Sequence, residues 1–197
     1  MPPRAHLHSF ENEAQALDGD PEHSAYYQPL DGNWKFRLFR EPAVLEAEVI
    51  SRALNDSSWE SIEVPGNWTM QGHDRPHYTN VQMPFPDQPP NIPEDNPTGV
   101  YRTHFHLPES WDQRRVLIHF GGVESAFFIF CNGKRVGFAK DSRTAVEFDL
   151  TPLVQKGMNQ ISVVVIRWSD GSHLEDQDHW WMAGIHRGVY LLSLIHI

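Results

Sequence analysis

The chain has 197 residues, 40% hydrophobic and 12% aromatic, enough to fill the core of one large domain or of one domain with an arm. A formal net charge of −10 without any basic run excludes a general nucleic-acid binder, because neutralising phosphates takes clustered Lys and Arg. The lone cysteine, Cys131, excludes an intrachain disulfide; neither a signal-peptide pattern nor a bilayer-length apolar run is present, so a cytoplasmic domain with no membrane partner is expected.

Residues 1–27 are polar, rich in His and Glu, and lack hydrophobic periodicity, which reads as an irregular arm ahead of a domain spanning 28–197. "LDGNWKFRLF" opens ordered structure. Asp31-Gly32 is a turn signal, and Trp34, Phe36 and Leu38 alternate with Lys35 and Arg37 as in a half-buried strand. "EPAVLEAEVISRAL", residues 41–54, carries the chain's helix-like pattern, and "ESIEVP" after it reads as a strand.

From Pro65 to Thr98 the chain is dense in Pro, Asn, Asp and Gly. Proline fixes φ and donates no hydrogen bond, so neither a helix nor a central strand fits. A loop this long is uncommon without a function, and its aromatics Trp68, Tyr78 and Phe85 predict an ordered loop rather than a linker.

Strand follows strand after that. "VYRTHFHL" alternates, and "RVLIHF" follows it. "AFFIFCNGKRVGFA" reads as a hairpin, because Asn132-Gly133 tolerates the positive φ of a type I′ turn. "TAVEFDL" comes next, then "NQISVVVIRW", an apolar run suited to a strand buried on both faces, and finally "GVYLLSLIHI". Seven to nine short strands with almost no helix predict an all-β fold, a β-sandwich of jelly-roll type.

The candidate chemistry concentrates in "SHLEDQDHWWMAGIHRGV", residues 172–189. Carboxylates accept from hydroxyls or hold a hard cation, and an indole offers a flat apolar face, so together they suit a sugar. A solvated acidic turn leading into core tryptophans explains the same residues and is the favoured reading on residue type alone. The spacing does not match an EF-hand. His104 and His106 share one face of a predicted strand, but no Cys or carboxylate stands at a zinc spacing, so they read as an exposed strand face. Cys131 lies in an aromatic-rich strand and reads as a buried, inert thiol. Neighbouring carboxylates on a short loop rarely reach the fixed separation of a glycosidase acid and nucleophile, so no catalytic pair is expected in this chain.

Several long motifs in order resemble the amino-terminal region of lac-operon-type β-galactosidases of glycoside hydrolase family two. They are "LDGNWKF", the Pro-rich segment through "TGVYRTHF", "FGGVESAFFIFCNGKRVGFAKDSRTAVEFDL" and "IRWSDGSHLEDQDHWWMAGIHRGV", together covering about residues 28–192. The resemblance implies a jelly-roll sugar-binding domain packed on a (β/α)₈ barrel that carries the catalytic glutamates, in an enzyme that forms homo-oligomers and hydrolyses β-galactosides such as lactose. It matches Asn80 of "YTNV" to an asparagine that bonds substrate. Asp178, the second Asp of "EDQD", matches an aspartate that contacts both the galactosyl group and a bound Na⁺. Glu175 and Asp176 receive no role, and Trp180 and Trp181 are expected to pack. The family's active-site Mg²⁺ would lie on the barrel. A second, structural Mg²⁺ site uses a glutamine where this chain has Lys140, opposite the matching Asp170; an ammonium cannot ligate Mg²⁺, so that site is not expected here. "SLIHI", residues 193–197, fits the family poorly and reads either as a continuing strand or as the non-native end of a truncated sequence, the second being the favoured reading. The open alternatives are a related β-glucuronidase or β-mannosidase, or a free-standing lectin-like module.

Overall fold

In the computed structural model, which describes residues 8–80 and 82–194, the β-rich patterns of the sequence become antiparallel strands. They are β1 (Tyr27–Pro29), β2 (Gly32–Phe39), β3 (Glu60–Val64), β4 (Gly66–Asn67), β5 (His77–Thr79), β6 (Thr98–Leu107), β7 (Arg115–Phe120) and β8 (Val123–Glu124). After them come β9 (Ala126–Cys131), β10 (Lys134–Lys140), β11 (Val146–Asp149), β12 (Gly157–Ile166), β13 (His179–Trp181), β14 (Gly184–Ile185) and β15 (Val189–Leu194). A six-stranded sheet runs β10-β9-β12-β6-β2-β3, and a four-stranded sheet runs β1-β15-β7-β11. These two sheets hold ten strands, one more than the upper sequence expectation; β4, β5, β8, β13 and β14 are two- or three-residue pieces too short to leave a periodic signal.

Both sheets bury side chains in one core. Trp34, Phe36, Tyr101, Phe105, Ile129 and Val163 come from the larger sheet, and Ile118, Phe120, Val189 and Leu191 from the smaller. β12 lies between β9 and β6 and is buried on both faces from Asn159 to Val165, as its apolar run predicts. Each fully buried Val along it contributes roughly 1.5–3 kcal/mol of transfer energy. Asn132 (φ 51°) and Gly133 (φ 78°) make the expected two-residue turn between β9 and β10. Cys131 is fully buried, and burial pushes its thiol up to about 11, so it is unreactive at neutral pH.

Two local expectations are corrected. The 41–54 segment forms two short 3₁₀ turns, Pro42–Val44 and Ala47–Ile50, rather than a helix. Its carbonyls bond elsewhere: the buried Arg102 guanidinium on β6 donates to Val49 O (2.8 Å) and Ser51 O (3.1 Å) and pairs with Asp56 (2.8 Å). The segment is thereby tied over a second apolar cluster of Trp59, Val100 and Val164 on the outer face of the larger sheet. Among the described residues the α-helix, α1 (Glu13–Asp18), lies instead in the arm. It is capped by the Asn12 side chain and closed by Gly19 at φ 75°, a local start and stop signal too short to show periodicity.

The described part of the Pro-rich segment is ordered, as its aromatics predict. Trp68 is fully buried against Phe36 and Tyr101, with room made by Gly99, where a Cβ would lie 2.7 Å from both the Phe36 and Trp68 rings. At the other end of the chain, Ser193 and Leu194 continue β15 opposite Val116 and Arg115; residues 195–197 lie outside the described structure.

Candidate functional site

β5, from the Pro-rich loop, and β13, from the acidic-aromatic stretch, pair as an antiparallel ribbon with the register His77↔Trp181, Tyr78↔Trp180 and Thr79↔His179. Asn80 and Asp178 each stand one residue beyond the Thr79↔His179 pair. The two candidate ligand residues, nearly a hundred positions apart in sequence, therefore meet at the same end of one ribbon, both solvent-exposed.

Adjacent strand residues point to opposite faces, and this separates the two tryptophans. Trp181 is 2% exposed. Its indole Nε1 donates to Thr79 Oγ1 (2.9 Å), and its ring meets Trp168 edge-on at 5.5 Å within a small cluster that includes Phe85. Trp180, expected to pack, is 53% exposed and lies 5.4 Å from the equally exposed Tyr78 ring. The Tyr78 hydroxyl donates to Asp178 Oδ1 (2.7 Å), and this hydrogen bond is the main reason its phenol titrates above the usual tyrosine range. Tyr78 was not among the sequence candidates. Its signal is its place on the same face as Trp180, which appears only once the ribbon is paired.

The loop leading to Asp178 is fastened to the end of β10. Glu175, without a role in the sequence reading, accepts from the backbone N–H (2.9 Å) and hydroxyl (2.5 Å) of Ser142. Ser142 is fully buried, and its carbonyl lies 2.8 Å from His186 Nε2. Burial holds the His186 pKa below the usual histidine range. Glu124, buried beside the ribbon, accepts from Met182 N–H (3.1 Å) and pairs with Arg143 (3.4 Å); burial still outweighs these partners and raises its pKa. Asp176 and His173 line an open cleft of about 430 Å³ with Gln82, Phe85, Asp87 and Gln88. His104 and His106 lie on an exposed face of β6.

Each possible cation position can be tested on its donors. Lys140 Nζ bonds both carboxylate oxygens of Asp170, at 2.7 and 2.6 Å, and this contact is the main cause of the lowered Asp170 pKa. An ammonium fills the space beside Asp170, so these residues do not fit a divalent cation. Asp178 differs: one lone pair accepts from Tyr78, and the others stay open to a hard cation. Among the described residues no group of three or more His, Cys, Asp or Glu converges on a common point, so further ligands of such a cation would be carbonyls, waters or groups from outside this chain.

The model of the glycosyl hydrolases family 2 sugar-binding domain matches residues 27–195. The chain is 51% identical over 189 residues to a β-galactosidase of Psychromonas ingrahamii and 50% identical over 190 residues to one of Vibrio cholerae; each match covers 96% of this chain. The chain spans 18% of the length of these curated relatives. Among solved structures, a β-glycosidase from Bacteroides vulgatus superposes with a TM-score of 0.61 at 28% identity over 85% of this chain and 20% of that one. The β-glucuronidase 2 of Bacteroides uniformis, at a TM-score of 0.65, 24% identity and coverage of 86% and 18%, shares the fold. With its motifs, its two-sheet sandwich and this match along nearly its whole length, the chain belongs to glycosyl hydrolase family 2, in the sugar-binding domain.

Proposed function

We propose that the chain is the sugar-binding domain of a β-galactosidase, with Asn80 and Asp178 as its contribution to the galactosyl site. The observation that carries this reading is the β5–β13 register, which places both residues at one ribbon end. An amide both donates to and accepts from hydroxyls, whereas a carboxylate only accepts and can share a hard cation with a sugar oxygen. Asp178 would hold Na⁺, and the ion would polarise and orient a sugar hydroxyl there. Tyr78, by donating to Oδ1, limits the positions the carboxylate can take. The exposed Trp180 and Tyr78 rings beside it offer apolar faces for sugar C–H groups.

The chemistry itself is placed on a barrel of the same cytoplasmic enzyme. There one glutamate would protonate the leaving oxygen and another would form a galactosyl-enzyme intermediate, with retention of configuration. Galactosides are favoured over glucuronides because the relatives at about half identity are β-galactosidases, whereas the Bacteroides uniformis glucuronidase speaks for the fold alone.

The test uses the enzyme encoded by the whole reading frame that carries this chain. Asp178→Asn should lower kcat/KM for a β-galactoside about 10- to 100-fold, the value of one hydrogen bond to a charged group. It should also flatten the response to Na⁺. Wild-type kinetics for Asp178→Asn at every Na⁺ concentration would overturn the assignment. A frame without a barrel would leave a lectin-like module instead.

A further inference from the structure

The geometry points to Arg167 as the positioning residue of this site; the inference rests on the proposed roles of Asn80 and Asp178. Arg167 directly follows β12, an inner strand of the six-stranded sheet, and its backbone N–H donates to Pro97 O (3.0 Å). Its side chain is 1% exposed. Nη1 pairs with the Asp74 carboxylate, and Nη2 donates to Arg75 O (2.7 Å) and Trp181 O (3.4 Å). The guanidinium carbon lies 4.8 Å from the Trp168 ring centroid.

Arg75 stands two residues before β5, and Trp181 is the last residue of β13, paired with His77. One guanidinium, fixed to the main sheet, therefore grips both strands of the ribbon at its root. Asn80 and Asp178 lie at the opposite end, three residues further along each strand, or about 10 Å at strand rise. A ribbon of three residue pairs is marginal without outside support. The site end takes its direction from a root that Arg167 sets. The residue is buried under the ribbon and acts on a ligand through the two strands. A lysine at this position keeps the charge but loses the planar fork that reaches a carboxylate and two carbonyls together.

The test is a double-mutant cycle in the full-length enzyme. Arg167→Lys is expected to raise KM for a β-galactoside about tenfold, the scale of one hydrogen bond to a charged group, with a smaller change in kcat. In an Asn80→Ala/Asp178→Ala background, the same substitution should change KM by less than about twofold, because the groups it positions are gone. A tenfold loss in both backgrounds, or none in either, overturns the inference. Should Arg167→Lys not yield folded enzyme, Asp74→Asn, which removes one arm of the grip and leaves both carbonyl contacts, is carried through the same cycle with the same criterion. If Asn80→Ala and Asp178→Ala each leave KM unchanged, the proposed sugar site has failed, and that outcome is separate from a failure of the cycle.

Discussion

Trp181→Ala tests whether the site ribbon has a buried and an exposed face. Trp181 is 2% exposed and packs on Trp168, and truncating a buried tryptophan to alanine costs about 3–5 kcal/mol. The lost indole bond to Thr79 adds little, since Thr79 is half-buried and its hydroxyl can turn to water. Trp180, its neighbour, is 53% exposed and gives up only its ring contact with Tyr78, so Trp180→Ala should cost about 0.5–1 kcal/mol. With a urea m-value of about 3 kcal/mol/M for a chain of this size, the expected falls in midpoint are about 1–1.7 M for Trp181→Ala and about 0.2–0.3 M for Trp180→Ala. Urea titrations followed by far-UV circular dichroism, with m checked for constancy, give both numbers. Equal midpoints for the two variants would refute the two-faced ribbon, and with it the exposure of Tyr78 and Trp180 beside Asp178.

Lys140→Gln should turn the Lys140–Asp170 contact into a cation-responsive position. The exposed ion pair itself is worth under about 1 kcal/mol, so the variant folds; Mg²⁺ at tenfold its dissociation constant should then stabilise it by about 1.4 kcal/mol, or about 3–6 °C in melting temperature. Wild-type chain should show no such shift, and equal shifts in both would show that the ammonium does not occupy the cation's place. His186 supplies a pH signature. Its folded pKa lies below the unfolded value of about 6.5, so between the two the unfolded state holds more protons and stability falls as pH drops below about 6.5. His186→Gln should remove that component, so the difference in urea midpoint between variant and wild type should move in favour of the variant from pH 7.5 down to pH 5, and a pH-independent difference would refute it.

Some of this protein is written in short stretches of its sequence. The alternation in β2, the apolar run of β12 and the Asn132-Gly133 turn are local patterns, each set by one strand's faces or one turn's dihedrals. The order of the Pro-rich loop could be read from its aromatics, since Trp68 and Phe85 leave water on folding. The motifs around Asn80 and Asp178 marked these residues as candidates, but not how they come together.

Only the tertiary structure decided that they share a ribbon end, because a register between strands a hundred residues apart leaves no trace in either strand. The same holds for Trp180 against Trp181, whose residue types are identical and whose faces are set by the partner strand. Glu175 on Ser142 and Arg167 beneath the ribbon are long-range contacts between polar groups, and sequence alone reads such groups as solvated loops. In 41–54 the helical pattern lost to tertiary bonding, because the buried Arg102 offered its carbonyls a partner that an isolated helix cannot match. Sequence thus determined which residues alternate, turn and bury; the fold determined which of them meet, since hydrogen-bond register and burial are properties of pairs of segments.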